Sequence, residues 1–369
     1  MSRLHVRDTG LLIGAQSVPT GAHNAITDVT GVRVGHATLV QGEGALLPGH
    51  GPARTGVTVI LPHAGNLFRQ KVHAAVHTIN GYGKPFGFEQ VRELGALESP
   101  IALTNTLNVG LVADALVEYS IRQNPDIGIS TSSVNVVVGE TNDGWLNDLQ
   151  GRHVKAGHVF AAIESASESV AEGAVGAGMG TVCFGWKGGI GTSSRVLPEP
   201  IGGFTLGALV QSNFGRAQDL TIGGVPVGRH IRPFGFPKPE GSKGSIMTVL
   251  ATDAPLDSRQ LGRLCVRVAA GLARVGSHLS HGSGDFVIAF STARRIEHEP
   301  QSLVSAQPVL ADEPKVMDGL FRAVVESVEE AVLNSLFRAE TMSGRDGHTA
   351  YGLPVEQVVE LVLKHSKGT

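Results

Sequence analysis

Buried strands alternate with amphipathic helices along most of the chain. Runs of apolar and β-branched residues predict core strands at 56–62, 134–140, 181–186, 204–210, 245–253 and 286–290. Apolar residues at helical spacing predict helices over 104–123, 257–276, 316–337 and 355–365. Because strands and helices are interleaved, the pattern indicates an α/β or α+β fold.

Polar residues at the ends of these segments predict how the helices begin. Thr104 or Asn105 is expected to cap the helix over 104–123, and Asp257 or Ser258 the helix over 257–276. The segment 63–80 has a mixed pattern and leads into a glycine-rich turn at 81–84. Its His73 and His77 would share one face if the segment were helical, but a structural pair is favoured over metal ligands because no carboxylate accompanies them.

The composition favours a large, tightly packed domain. The 369 residues are 41% hydrophobic and 17% charged, and the 49 glycines suit close strand packing and sites lined by backbone. A net charge of −3 shows no bias toward nucleic acid or an anionic membrane. Cys183 and Cys265 lie in apolar runs, so we expect two buried thiols and no disulfide or metal framework.

The sequence shows no targeting or membrane segment. Its first residues lack an apolar stretch, and no run reaches transmembrane length, so a cytoplasmic location is expected. The glycine cluster 176–180 does not match a dinucleotide-binding loop, because a predicted strand follows it where phosphate binding needs a helix N-terminus. Tight turns around a cleft are the favoured interpretation, and no cofactor is expected.

The bond between Gly244 and Ser245 lies where a linker rich in proline and glycine meets a core strand. The Ser245 hydroxyl is placed to attack the Gly244 carbonyl, which no side chain shields, and shift the acyl group from nitrogen to oxygen. Hydrolysis would then leave Ser245 as an N-terminus with an amine beside its hydroxyl. On these two residues alone, a linker serine that begins a strand is the simpler interpretation.

Other polar residues also stand at strand ends, where ligand sites of α/β proteins form. Ser283 and Asp285 precede a strand and, two residues apart, would project to one side. Asn213 ends a strand, where its amide could donate to a developing oxyanion. Glu140 and Asp143 flank another strand end near Trp145, where a carboxylate suits a cationic amine. Taken singly, each is more simply explained as an ordinary turn or loop residue.

Several motifs in one order carry a family resemblance. They lie at 24–29 with 31–36, 139–144, 185–194, 213–215, 244–245 with 249–256, and 283–285 before 289–292. On these motifs the chain resembles the self-processing serine aminopeptidases typified by L-aminopeptidase/D-amidase-esterase and the β-peptidyl aminopeptidases. The resemblance covers nearly the whole chain.

The resemblance implies an αββα sandwich like that of N-terminal-nucleophile hydrolases, with a different strand order. It implies one domain over 1–369, cleaved between Gly244 and Ser245 into an α chain, 1–244, and a β chain, 245–369. It also implies a homo-oligomer, expected to be a tetramer of αβ units, that releases N-terminal residues from short peptides, amides and esters. No metal, nucleic acid or membrane partner is implied.

The resemblance also assigns roles to residues. Ser245 would be the nucleophile, Ser283 and the acid at 285 would assist proton transfer, and Asn213 would help form the oxyanion hole. Position 285 is Asp where some members carry Glu, a shorter reach. The residues do not decide whether the Ser245 α-amine or the Ser283–Asp285 relay is the base.

The residues expected to bind substrate follow from the same comparison. Glu140 is expected to bind the substrate amine, with Asp143 as its competitor. Position 145 is Trp where some members carry Tyr; because its indole can only donate a hydrogen bond, we expect Trp145 to pack as a wall of the substrate site.

Two other functions stay open at this point. One is an acyltransferase of the ornithine acetyltransferase type, although such enzymes process themselves before Thr and here the residue is Ser245. The other is an uncleaved, non-catalytic binding protein. An acetyl-transfer assay and an intact mass would separate them from an aminopeptidase.

Overall fold

The structure is a computed structural model that describes residues 3–11, 13, 17–233 and 244–366. The predicted linker residues Pro237, Pro239, Gly241 and Lys243 lie outside these ranges. Gly244 and Ser245 lie within them, so both sides of the proposed cleavage bond are described.

The elements are numbered along the chain. The strands are β1 Arg33–Gln41, β2 Ala53–Leu61, β3 Gln70–Gly81, β4 Ala96–Leu97, β5 Ile101–Asn105, β6 Val137–Thr141, β7 Val182–Cys183, β8 Trp186–Lys187, β9 Ile190–Val196, β10 Thr205–Asn213, β11 Ser245–Thr252, β12 Gly284–Glu297, β13 Met342–Ser343 and β14 Thr349–Ala350. The helices are α1 Phe88–Leu94, α2 Val109–Gln123, α3 Ala156–Glu164, α4 Val227–His230, α5 Ser258–Arg274, α6 Pro314–Phe337 and α7 Val355–Ser366.

Two sheets form the centre of the molecule. One has the strand order β1-β2-β5-β6, and the other has the order β4-β3-β12-β11-β10-β9. Helices α2 and α3 pack on the first sheet, and α5 and α6 pack on the second. This arrangement confirms the predicted αββα sandwich.

Alternation of side chains along each strand builds the layers. In β11, Met247 and Val249 belong to the core between the sheets, together with residues such as Ile60. The intervening residues, such as Ile246, point the other way into the core under α5 and α6. Because β11 is buried on both faces, it reads as the continuous apolar run that predicted it.

The helix over 257–276 begins as predicted. Asp257 is the N-cap of α5: its Oδ1 accepts the Gln260 N–H at 2.7 Å, and the Gln260 side chain accepts the Asp257 N–H at 3.1 Å. This reciprocal pair satisfies two backbone donors that the first helical turn leaves free.

The prediction that Thr104 or Asn105 begins a helix is wrong. Both residues continue β5, where they pair with Glu140 and Thr141 of the parallel strand β6, and α2 begins only at Val109. Pairing with β6 therefore outweighed the helical spacing of the residues that follow.

Segment 63–80, whose mixed pattern predicted no definite element, forms mostly a strand. Most of it forms the long strand β3, so His73 and His77 lie on a strand, paired with Ser291 and Val287 of β12. The helical face on which a metal pair would depend is therefore absent at these two residues.

The predicted strand over 181–186 is a short hairpin, β7 and β8, joined by Phe184 and Gly185. Both turn residues have positive φ, 50° and 77°, as in the tight turns whose twist matches a hairpin. Cys183 and Cys265 are both buried, as predicted. Among the described residues, no helix is long and apolar enough to cross a membrane.

Candidate active site

Three strand ends of the larger sheet meet at one place. Strand β10 runs antiparallel to β11, and β12 runs parallel to it, so the end of β10 lies beside the starts of β11 and β12. The register pairs Asn213 with Ser245 and Ser245 with Gly284. Residues that are far apart in sequence are thereby placed side by side.

The Ser245 side chain faces the smaller sheet. It shares its face of β11 with Met247 and Val249, which lie between the two sheets. There its Oγ accepts the backbone N–H of Asn142 at 3.3 Å. Asn142 follows the end of β6, so the second sheet supplies a backbone donor to this hydroxyl.

The Asn213 amide supplies a second donor. Its Nδ2 donates to the Asn142 carbonyl at 2.9 Å and to Ser245 Oγ at 3.3 Å, while its Oδ1 accepts the Val182 N–H at 2.9 Å. These partners define the orientation of the amide, because a backbone N–H can only donate and a carbonyl can only accept. The N–H side of Asn213 therefore points at Ser245.

Ser283 and Asp285 form a pair beside Gly244. Ser283 Oγ donates to Asp285 Oδ1 at 2.6 Å, as their spacing of two residues predicted. The same Oγ lies 3.2 Å from the position that a Cβ on Gly244 would occupy. The pair is thus adjacent to the bond whose cleavage the sequence predicts.

Burial sets the ionisation of Asp285. It raises the pKa of this carboxyl from 3.8 to about 6, although the hydrogen bond from Ser283 acts in the opposite direction. Its Oδ2 is buried and has no hydrogen-bond partner among the residues that the structure describes. A group with this pKa and a free oxygen can accept a proton near neutral pH.

The Gly244 carbonyl accepts the N–H of Gly284 at 3.2 Å. Gly284 cannot be replaced easily, because a Cβ there would lie 2.7 Å from the carbonyl oxygen of Tyr82. A donor aimed at this carbonyl would stabilise negative charge on its oxygen if Ser245 attacked the carbon.

Glu140 and Asp143 are both buried, but they face different partners. Glu140 Oε1 accepts the backbone N–H of Lys84, in the loop that follows β3. Asp143 Oδ1 accepts a hydrogen bond from the Asn147 side-chain amide at 2.9 Å. Burial raises the pKa of Asp143 to about 7. The nearby ammonium of Lys187 acts in the opposite direction on that pKa.

Trp145 packs against the C-terminal part of the chain. Its ring stacks on His348 with centroids 3.8 Å apart and 5° between the planes. It also packs against a small core of Leu146, Val182 and Ala350. This core includes Val182, whose N–H orients the Asn213 amide, so Trp145 packs against the group of residues that holds that amide.

Three parts of this site were not predicted from the sequence. They are the N–H of Asn142, the N–H of Gly284 and the buried ammonium of Lys187. Backbone donors leave no signal in residue type, although the turn-forming Asn142-Asp143-Gly144 after a strand could have suggested a free N–H. Lys187, in an otherwise apolar segment, was the one visible sign.

The chain is similar both to a described peptidase family and to a known aminopeptidase. A model of peptidase family S58 matches residues 24–350. The chain is 40% identical over 362 residues to the β-peptidyl aminopeptidase BapA of Sphingosinicella microcystinivorans, covering 94% of this chain and 89% of that protein.

Solved structures resemble the chain over nearly its full length. The PH0078 protein from Pyrococcus horikoshii OT3 has a TM-score of 0.92 and 48% identity, covering 98% of this chain and 99% of its own. The L-aminopeptidase D-Ala-esterase/amidase from Ochrobactrum anthropi, described as a prototype serine aminopeptidase with a variant of the Ntn hydrolase fold, has a TM-score of 0.89. Its identity is 38%, and the match covers 98% of this chain and 99% of its own.

Proposed function

The chain belongs to peptidase family S58 and is an aminopeptidase, and from this premise we propose that Ser245 is its nucleophile, released by cleavage of the Gly244–Ser245 bond. The observation that carries the proposal is the convergence of Asn142, Asn213 and the Ser283–Asp285 pair on Gly244 and Ser245. The products of cleavage would be 1–244 and 245–369.

Self-processing would begin with attack of Ser245 Oγ on the Gly244 carbonyl carbon. A C–O bond forms, the peptide C–N bond breaks, and the hydroxyl proton passes to the Ser245 nitrogen. Water then hydrolyses the ester, leaving the Gly244 carboxylate and restoring the hydroxyl beside a free amine. The Gly284 N–H, which donates to the Gly244 carbonyl, would stabilise the first oxyanion.

Cleavage would also create the base for turnover. In the intact chain the Ser245 nitrogen is an amide and cannot accept a proton at neutral pH, and the residue is only 4% exposed. After cleavage this nitrogen becomes an α-amine, a variant of nucleophile and adjacent base. Ser283 and Asp285, beside Gly244, would exchange protons with it.

Turnover would use the donors that now contact Ser245 Oγ. The hydroxyl attacks the carbonyl of the first substrate residue, and the N–H groups of Asn142 and Asn213 stabilise the oxyanion. The Ser245 α-amine takes the hydroxyl proton and passes it to the leaving amine as the substrate C–N bond breaks. Water then hydrolyses the ester formed on Ser245, which releases the residue and restores the hydroxyl.

The substrates would be short peptides, amino-acid amides and esters with a free amine. We propose that Glu140 binds this amine, since its carboxylate lies in the strand that leads to Asn142. Asp143 is the less suited competitor, because its carboxylate is directed at Asn147 and the buried charge of Lys187. Trp145 would act as a wall near Val182.

A tetramer of αβ units in the cytoplasm remains a proposal that follows from the family. Light scattering of the purified protein would give the oligomer size, and cell fractionation would give the compartment.

The test combines intact mass with activity. The wild-type protein should give two masses, those of the fragments 1–244 and 245–369. Ser245→Ala should give the single mass of the intact chain and should not hydrolyse aminoacyl p-nitroanilides. Ser291→Ala is the matched control, because it removes a buried hydroxyl at the other end of the paired strands. An intact, active Ser245→Ala protein would refute the proposal.

A further inference from the structure

Lys187 carries an ammonium group enclosed by backbone carbonyls. The residue is fully buried, and its Nζ donates to the carbonyls of Gly178, Thr181 and Gly188 at 2.9, 3.0 and 2.6 Å. An ammonium has three protons to donate, so each proton has an acceptor. Burial lowers the pKa of Lys187 to about 7, while the charge of Asp143 acts to raise it.

The three carbonyls belong to the loop that precedes the β7–β8 hairpin and to the residue that follows it. Thr181 comes immediately before β7, and Lys187 itself lies on β8, paired with Val182. The ammonium therefore ties both sides of the hairpin together at its open end. Thr181 also accepts the N–H of Gly188, so this end of the hairpin is held by backbone and side-chain bonds at once.

The hairpin in turn orients an oxyanion donor. The Val182 N–H donates to Asn213 Oδ1, which leaves Nδ2 facing Ser245 Oγ. If this N–H moved away, the amide could rotate and place Oδ1 against the Asn142 carbonyl, where two acceptors repel. Val182 and the Asn142 carbonyl thus together keep the Asn213 donor toward the nucleophile, and displacing Val182 would remove one of these two contacts.

Lys187 also affects the Asn142 N–H, the other donor to Ser245 Oγ. Its charge interacts with the buried carboxylate of Asp143, which directly follows Asn142 in the turn after β6. The Asn142 N–H is the group that donates to Ser245 Oγ. Removing the ammonium would leave Asp143 buried without its nearby cation.

We propose that Lys187 is a positioning residue that holds the Asn213 and Asn142 donors in place for the reaction at Ser245. The inference rests on the proposed function, since it assumes that these donors stabilise the oxyanion. Lys187 does not contact the substrate in this scheme and acts only through the hairpin and the turn after β6.

The first measurement is steady-state kinetics of Lys187→Met, which keeps most of the volume and removes the ammonium. We expect kcat to fall about 10- to 100-fold, less than the loss of a whole oxyanion donor, with KM changed less than about threefold. Lys71→Met is the matched control. It removes an ammonium bonded to the buried Glu98 at the opposite end of β3, and its kcat should stay within about twofold of the wild type.

A double-mutant cycle distinguishes positioning from general destabilisation. In the Asn213→Ala background the Asn213 donor is already lost, so adding Lys187→Met should lower kcat clearly less than it does in the wild type, and the loss that is left is the part that Lys187 exerts through Asn142. A merely structural lysine would give losses that multiply. Multiplied losses, or an unchanged kcat in Lys187→Met, would overturn the inference.

Folding and processing are measured first for every variant, by thermal melt and intact mass. Lys187→Gln is the second variant, because its amide keeps two N–H donors; it should show an intermediate kcat and the same coupling to Asn213. If neither variant folds, Lys187 is a requirement of the fold and the inference fails. An active Ser245→Ala protein would instead refute the proposed function, which separates the two failures.

Discussion

The raised pKa of Asp285 leads to a prediction about stability that can be measured in the intact chain. The reference is Ser245→Ala, which should remain uncleaved and so keep the arrangement around Gly244. Into it we would introduce Asp285→Asn, which has nearly the same shape but no charge at any pH. Urea unfolding at pH 4 and pH 8 would give the free energy of unfolding of both proteins.

The magnitude follows from the shift in pKa. The carboxyl titrates at about 6 when folded, against 3.8 as its ordinary value. A difference of about two units corresponds to about 3 kcal/mol, by which the folded state disfavours the ionised form. Because the folded protein binds this proton more tightly, stability falls as the pH rises from about 4 to about 6 and stays lower above it.

Asp285→Asn should therefore gain stability relative to the reference as the pH rises. The difference in unfolding free energy should grow by about 2.4 kcal/mol between pH 4 and pH 8, because the unfolded carboxyl is already partly ionised at pH 4; this is equivalent to about 3 °C in Tm for a chain of 369 residues. Any constant penalty from the buried amide cancels in this comparison of two pH values.

Asp148→Asn in the same background is a control with the opposite sign. Burial acts to raise the pKa of Asp148, but hydrogen bonds from Gly49, His153 and Gly51 outweigh it and hold the pKa below 3.8. Its charge therefore stabilises the folded chain, and its loss should cost more at pH 8 than at pH 4. A pH-independent difference for Asp285→Asn would refute the assignment of its raised pKa to burial.

Two further predictions concern the processed enzyme. Asn213→Ala should lower kcat about 100- to 1000-fold with little change in KM, and Asn213→Asp, which keeps the acceptor for Val182 but loses the donor, should be similarly slow; equal losses in kcat and binding would indicate that Asn213 positions the substrate instead. Glu140→Gln should raise KM for aminoacyl p-nitroanilides about 10- to 100-fold, with a smaller effect on kcat. If Asp143→Asn raises KM instead, the substrate amine binds Asp143.

Local sequence predicted much of the scaffold. The β-branched run after Ser245 and the capped helix at Asp257 are decided by neighbours within a few residues, so the strand and the helix were found with nearly their observed bounds. The pairing of Ser283 with Asp285 was predicted for the same reason, because a strand repeats every two residues.

Several errors arose where long-range pairing competed with local pattern. Thr104 and Asn105 look like helix caps in isolation, but parallel pairing with β6 extends β5 through both. The mixed pattern of 63–80 concealed the strand β3, because part of it faces solvent beyond the core that buries the rest. Local propensity amounts to less than 1 kcal/mol per residue and yields to such pairing.

The sequence by itself determined the strand that begins at Ser245, the capped helix at Asp257 and the position of the Gly244–Ser245 bond at the start of β11. Only the tertiary structure decided that Asn213, Ser245 and Gly284 lie in register, that the other sheet brings the Asn142 N–H to Ser245, and that Lys187 holds the hairpin behind Asn213. The physical reason is that side-chain alternation sets the face of a strand, whereas its partner and register depend on contacts between residues far apart in the chain.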